Sequence, residues 1–61
     1  MSDKNLKLLT PEELSEFVSV PVQTLARWRM EGKGPHYYKA NHLVRYDMQD
    51  VKDWLDVKRN S

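Results

Sequence analysis

The sequence predicts a small α+β domain in which two N-terminal helices are followed by a short β-hairpin and a C-terminal helix. Helix-capping residues open two segments in which apolar residues recur every three or four positions. Proline and glycine interrupt the chain between the predicted elements. Before the last helix, two stretches rich in aromatic and aliphatic residues flank an asparagine, which is typical of two short strands and their turn.

The composition limits both the size of the domain and its possible functions. The 61 residues are enough for one domain, and we expect its ordered core to cover about residues 6–57. The chain has no cysteine, which excludes disulfides and thiolate metal sites. Its apolar runs are too short for a membrane span or a secretory signal, so we expect a soluble, intracellular protein.

The first helix is predicted to begin at a capping box. Thr10 is the expected N-cap, Pro11 the first helical residue and Glu13 the partner that completes the box. The apolar residues that follow at spacings of three and four predict a buried stripe on a helix of about two turns: Leu14, Phe17 and Val18. Leu9, immediately before the cap, is placed to pack on Leu14 as a hydrophobic staple.

The second helix is expected after a tight turn. Pro21 disfavours a helical conformation in the residue before it but suits the start of a helix, so we predict a helix over Val22–Glu31 with Gly32 as its C-cap. Apolar or long side chains fall on successive turns of one face: Val22, Leu25, and Trp28 or Arg29. Hydrogen-bonding side chains gather on the opposite face, which is unusual for an ordinary surface helix: Gln23, Thr24 and Arg27.

A hairpin and a third helix complete the predicted fold. Its strands are expected over 37–39 and 43–46, joined by the turn Ala40-Asn41-His42, in which Asn41 suits a positive φ. Asp47 is the expected N-cap of the third helix, with Asp50 three residues later. Apolar residues again spaced by three and four predict its buried face: Val51, Trp54 and Leu55. The tail after Val57 is expected to be frayed.

Positive charge is concentrated in the middle of the chain. The whole sequence has a net charge of +1, but the range 22–46 holds five basic residues against one acidic residue, for a net charge of +4. The flanking ranges 10–21 and 47–56 each have a net charge of −3. A nucleic-acid site depends on the local field rather than on the total charge, so this division favours the middle of the chain as a binding region.

Two short helices joined by a tight turn are the helix-turn-helix arrangement, in which the second helix enters the major groove of duplex DNA. We therefore predict DNA contacts from four residues of this recognition helix: Gln23, Thr24, Arg27 and Arg29. Gln23 suits an adenine edge and Arg27 a guanine edge, because each side chain offers two matched hydrogen bonds. The hairpin is predicted to act as a wing, and phosphate and wing contacts are expected from a second group: Lys33, Lys39, Asn41, His42 and Arg45.

Alternative interpretations of the same residues remain open. The polar face of the second helix is also what a solvated amphipathic helix shows, and the hairpin charges are also what protects edge strands from aggregation. Phe17, Trp28, Trp54 and the tyrosines are alternatively stacking platforms for single strands, but the helical spacing of Phe17, Trp28 and Trp54 favours the core. Tyr37 or Tyr38 is expected to be partly exposed. The two histidines have no cysteine or carboxylate cluster beside them, so no metal site, cofactor or catalytic site is predicted.

The run from Leu8 to Leu55 resembles the excisionase-type helix-turn-helix family, small relatives of the MerR-type DNA-binding domain. The resemblance covers nearly the whole chain and is carried by the segments LLTPEEL at 8–14, VPVQTLARW at 20–28, GKGP at 32–35, VRY at 44–46, DV at 50–51 and WL at 54–55. The chain departs from the common pattern at three places. Pro21 stands in place of a serine or other N-cap, Ser19 replaces a glycine, and the tip at 40–42 lacks a glycine-arginine pair.

The resemblance implies a winged helix that binds DNA beside a phage attachment site, bends it, often in several copies, and helps an integrase run excision. The implied partners are double-stranded DNA, an integrase and further copies of the chain on DNA, in the cytoplasm and nucleoid of a bacterial host. Similar domains also act as regulators of prophage genes, and a protein-interaction adaptor that does not touch DNA is the alternative from another class. The basic tail residues either contact DNA, keep the tails soluble or mediate contacts between copies: Lys4, Lys7, Lys58 and Arg59.

Overall fold

The computed structural model describes residues 7–59. Along this range the elements are β1 (Leu8–Leu9), α1 (Pro11–Val18), α2 (Val22–Glu31), β2 (Tyr38–Ala40), β3 (Leu43–Asp47) and α3 (Met48–Arg59). The three strands form one antiparallel sheet in the order β1-β3-β2. This is the α+β layout of a small winged helix-turn-helix domain, as the sequence predicts. The expected start of the ordered core at residue 6 and the tail residue Lys4 lie outside the described residues.

Helices α1 and α3 begin at the side-chain caps that the sequence predicts. The Glu13 backbone N–H donates to Thr10 Oγ1 at 3.0 Å, and the Thr10 N–H donates to Glu13 Oε1 at 2.9 Å. The capping box is therefore confirmed. At α3, the Gln49 N–H donates to Asp47 Oδ1 at 2.9 Å. Helix α2 differs, because its N-cap is Pro21 and no side chain among the described residues caps it.

The turn between α1 and α2 depends on a residue in the left-handed conformation. Ser19, the C-cap of α1, has φ 59° and ψ 42°. The next N–H, that of Val20, donates to the Ser15 carbonyl at 3.2 Å and closes the end of the helix. Gly32, with φ 74°, ends α2 in the same conformation, as predicted. The turn is therefore short, and α1 packs directly on α2.

Five hydrophobic residues are buried in the part of the chain that the structure describes: Leu9, Leu14, Leu25, Tyr46 and Val51. They come from β1, α1, α2, β3 and α3, so one core holds all the helices against the sheet. Burying a side chain of this kind stabilises a fold by about 1.5–3 kcal/mol. Each therefore carries a large share of the stability of so small a domain.

Two aromatic predictions need correction or refinement. Phe17 was expected in the core, but its side chain is 53% exposed, because the buried stripe of α1 narrows to Leu14 with Val18 at its edge. Tyr46 is instead the fully buried aromatic residue, at 1% exposure. The expected core residues Trp28 and Trp54 are half-buried, and their ring centroids lie 5.7 Å apart.

The strand and helix boundaries also differ from the predictions. Strand β1 was not predicted, because two residues are too few to show alternation; Leu8 and Leu9 pair with Asp47 and Tyr46 of β3. Strand β2 begins at Tyr38, one residue later than expected. The C-terminal tail was expected to fray after Val57, but α3 continues to Arg59. None of the described helices is long and apolar enough to cross a membrane.

Candidate nucleic-acid interface

The solvent-facing side of α2 brings together two of the residues predicted to contact bases. Gln23 and Arg27 are both exposed, and residues four positions apart lie above one another on a helix face. Thr24 is half-buried at the edge of this face. An amide and a guanidinium are thus presented side by side in the first turns of the helix.

Met30 extends the same stripe by one turn. It follows Arg27 by three positions, so the sequence Gln23, Arg27, Met30 keeps to one face of the helix. Met30 is 88% exposed. Sequence reasoning missed this residue because methionine is usually assigned to the core. Its spacing from Gln23 and Arg27 was the signal that could have found it. We call Gln23, Arg27 and Met30 the outer stripe of α2.

Arg29 lies at the edge of the core-facing side of α2, away from the outer stripe. Its Nη1 donates a hydrogen bond of 2.7 Å to the Tyr46 hydroxyl, in a partly buried position. The guanidinium carbon lies 5.8 Å from the Tyr37 ring centroid and 6.0 Å from that of Tyr46, within the range of cation–π attraction. The side chain therefore joins the recognition helix to the sheet. The sequence alone predicts two positions for Arg29: on the apolar face of α2, as an alternative to Trp28, or among the DNA contacts.

The hairpin directs its two predicted strand cations to opposite faces. Lys39 pairs with Val44, and Arg45 pairs with Tyr38. Since directly paired residues share a face and successive residues alternate, Lys39 lies with Val44 on the side of α2 and Arg45 on the outer side. Arg45 Nη1 also donates to the Val44 carbonyl at 2.7 Å.

The tip of the hairpin is the two-residue turn Asn41-His42, since Ala40 pairs directly with Leu43. Asn41 has φ 58°, which confirms the expected positive angle. Both turn residues are exposed. The tip is therefore accessible to solvent.

A groove of about 580 Å³ separates α2 from the hairpin. One wall belongs to α2 and the other to the hairpin and the residue before it: Ala26, Arg29 and Met30 face Tyr37, Lys39, Asn41, His42 and Val44. Four of the predicted DNA contacts thus line one concave surface: Arg29, Lys39, Asn41 and His42. We call this surface the helix–wing groove.

Lys33 lies outside the helix–wing groove. It follows the C-cap of α2, and its Nζ is 3.5 Å from Glu31 Oε1 in a solvent-exposed ion pair. It lines a second hollow, of about 730 Å³, between this loop and α3, together with Trp28, Asp50 and Trp54. The structure therefore separates Lys33 from the wing residues. Within residues 7–59, no group of His, Asp or Glu side chains could hold a metal ion.

A family model described as a helix-turn-helix domain matches residues 8–58. The match includes α1, α2, the hairpin and nearly all of α3, and with them every predicted contact residue. No curated protein and no solved structure matches the chain.

Proposed function

The chain belongs to the helix-turn-helix domain family and is a DNA-binding protein of that kind, and we propose that it is an excisionase. In this proposal it binds double-stranded DNA near phage attachment sites and directs an integrase toward excision. The observation that carries the DNA-binding site is the helix–wing groove beside the outer stripe of α2. The excisionase role is supported by the resemblance of the sequence over 8–55. Helix-turn-helix DNA-binding domains are generally not enzymes, so the proposed role is architectural.

We assign base recognition to the N-terminal half of α2. The Gln23 amide matches the N6 and N7 positions of adenine, and the Arg27 guanidinium matches O6 and N7 of guanine in the major groove. Both side chains are exposed on one face. Each such contact discriminates against a wrong base by about 1–3 kcal/mol. Thr24, at the edge of the face, is assigned to a phosphate or a thymine methyl group.

We assign the wing and the flanking cations to the DNA backbone. Lys39 and His42 line the helix–wing groove with Asn41 between them along the chain, so a phosphate strand between α2 and the wing meets donors from the hairpin side. Lys33 and Arg45 face other directions and are assigned to phosphates outside the groove. Arg29 donates a hydrogen bond to Tyr46, so its proposed role is to orient α2 and to add positive potential at the α2 wall of the groove.

The proposed mechanism depends on bending and on several copies of the protein. A site bent by 40–90° costs roughly 1–6 kcal/mol, which must be offset by contacts that only the bent DNA allows. A single module of this size buries about 600–1,000 Å² and binds weakly alone. We therefore propose that adjacent copies bind cooperatively and hold a curved segment on which the integrase assembles.

Gel-shift and footprint titrations on attachment-site DNA and on random DNA, at two salt concentrations, test this proposal. Several regularly spaced protected sites, salt-sensitive affinity and the mobility of bent DNA are expected. A single protected operator, with changed transcript levels and unchanged excision yield on removal of the protein, would assign the chain to gene regulation. Absence of DNA binding would contradict the proposal and favour a protein-interaction adaptor.

Two alanine variants separate base recognition from backbone binding. Arg27→Ala is expected to weaken binding to the preferred site by about 1–3 kcal/mol and to relax the preference at one base position. Lys39→Ala is expected to weaken binding to all sequences alike and to reduce the salt slope by about one. Lys52→Ala, an exposed cation on α3, is the matched control and should change neither. Equal losses on all sequences for Arg27→Ala and Lys39→Ala would contradict the assignment.

A further inference from the structure

We propose that Met30 contacts the C5-methyl group of a thymine in the major groove and gives the protein a thymine preference at one position of its site. This inference rests on the proposed DNA binding through α2 and names a further residue that determines specificity there. It assigns a base-reading role to a residue of a type that is more often buried in the core.

The exposure of Met30 is the first observation. Met30 is 88% exposed, whereas every other exposed large hydrophobic residue in the described part of the chain is at most 67% exposed. Methionine is among the residues most often fully buried. Met30 lies in the last turn of α2, the helix that carries the polar outer stripe. Its exposure leaves a large apolar side chain available for contact with a partner.

The position of Met30 is the second observation. It lies on the same face as Gln23 and Arg27, so a duplex that meets those two side chains also meets Met30. It also lines the helix–wing groove beside Ala26 and opposite Lys39. Among the described residues that line this groove, none is acidic. The lining of the helix–wing groove thus favours an anionic partner, although the Met30 side chain itself is apolar.

The chemistry of the major groove identifies the contact. The base edges there offer hydrogen-bond donors and acceptors, and their one apolar group is the C5-methyl of thymine. A thioether makes no strong hydrogen bond and contacts a methyl group by burial and dispersion. The proposed contact of Arg27 with a base fixes the distance between α2 and the base edges. The flexible side chain of methionine can adapt to that distance. The base that Met30 favours is therefore thymine.

The test removes the methyl group and the methionine separately. Wild-type protein and Met30→Ala are each used to select binding sites from a random duplex library. The selected wild-type site is then synthesised with each thymine replaced in turn by deoxyuridine, which lacks only the methyl group. One replacement is expected to weaken wild-type binding about three- to fivefold, the effect of exposing one methyl group. Met30→Ala should lose a similar factor on the thymine site and be insensitive to the same replacement.

Controls separate the outcomes. Phe17→Ala, which removes another exposed apolar side chain but from α1, should leave the thymine preference and the response to deoxyuridine unchanged. Because Met30 is so exposed, Met30→Ala should have the same unfolding temperature as the wild type.

A wild-type site without thymine preference, or equal deoxyuridine effects in wild type and Met30→Ala, would overturn the inference while leaving DNA binding intact. A loss confined to DNA with several sites would instead assign Met30 to a contact between copies and overturn the inference. Failure of wild type to bind duplex DNA would contradict the proposed function itself, and this inference with it.

Discussion

Helices α1 and α2 are neighbours of similar length, but they are stabilised in different ways. Helix α1 is closed at its start by the Thr10–Glu13 capping box and buries Leu14 completely. Helix α2 has Pro21 as its N-cap and no side-chain cap among the described residues, and its outer stripe faces solvent. The comparison indicates that the helix assigned to DNA binding takes less of its stability from its N-terminal cap and more from its flanks.

The two flanks of α2 use different chemistry. On one side the half-buried Trp28 meets Trp54 of α3 at 5.7 Å between ring centroids. On the other side Arg29 donates to the buried Tyr46 of β3. Changes in α1 should therefore alter stability alone, changes on the outer stripe should alter binding alone, and changes at the flanks of α2 should alter both.

The largest effect is expected from Leu14→Ala. Leu14 is 0% exposed, and deleting a buried leucine side chain costs about 2–5 kcal/mol through lost burial and a residual cavity. The free energy of unfolding of a domain this small is only a few kcal/mol. The variant should therefore be largely unfolded at room temperature, as measured by circular dichroism. Phe17→Ala, on the same helix but 53% exposed, should lose under about 1 kcal/mol. Similar losses in the two variants would contradict the division of α1 into a buried and an open side.

Tyr46→Phe tests the polar flank of α2. The change removes the hydroxyl that accepts from Arg29 Nη1 at 2.7 Å and leaves the buried ring in place. A hydrogen bond to a charged group is worth about 1.5–3 kcal/mol, and we expect the low end because Arg29 stays partly solvated. Urea unfolding should show this loss, and DNA affinity should fall as well. Tyr38→Phe, on an exposed ring, is the control. No difference between the two variants would show that Arg29 does not hold α2 to the sheet.

Two threonine substitutions, one at each helix, test whether α1 and α2 have separate roles. Thr10→Ala removes the cap of α1 and should lower the free energy of unfolding by about 1 kcal/mol without changing the DNA affinity of the folded protein. Thr24→Ala makes the same chemical change inside α2 and should leave stability equal or slightly higher, because alanine favours helices, while it weakens binding. Urea titrations and gel shifts on both variants check this. A binding loss in Thr10→Ala equal to that in Thr24→Ala would contradict separate roles for the two helices.

Local signals explain why the helices and the hairpin could be predicted from the sequence. The capping box of α1, the Gly32 C-cap of α2 and the Asp47 cap of α3 each involve residues only a few positions apart. Strand β1 could not be predicted, because its two residues are strands only through pairing with β3, as in Leu8 with Asp47. Such pairing is a tertiary contact that leaves no periodic pattern in the sequence.

The residues of the candidate site also divide into those that local spacing predicts and those whose positions depend on tertiary contacts. Gln23 and Arg27 could be found from helical spacing alone. The position of Arg29 depends on Tyr46, which is distant in sequence. The opposite directions of Lys39 and Arg45 depend on the hairpin register, which the sequence did not determine.

The smallest effect is expected at the turn that sets α1 against α2. Ser19 holds φ 59°, a conformation that costs a residue with a Cβ about 1–2 kcal/mol and costs glycine much less. Ser19→Gly should therefore raise the free energy of unfolding by about 0.5–1 kcal/mol, after the greater chain entropy of glycine is subtracted. Ser15→Gly makes the same change within α1, where it should destabilise by a similar amount. The unfolding temperatures of the two variants should thus shift in opposite directions from that of the wild type. The DNA affinity of Ser19→Gly should be unchanged. A lower unfolding temperature for Ser19→Gly would mean that the serine side chain, and not only the backbone angle, maintains the turn.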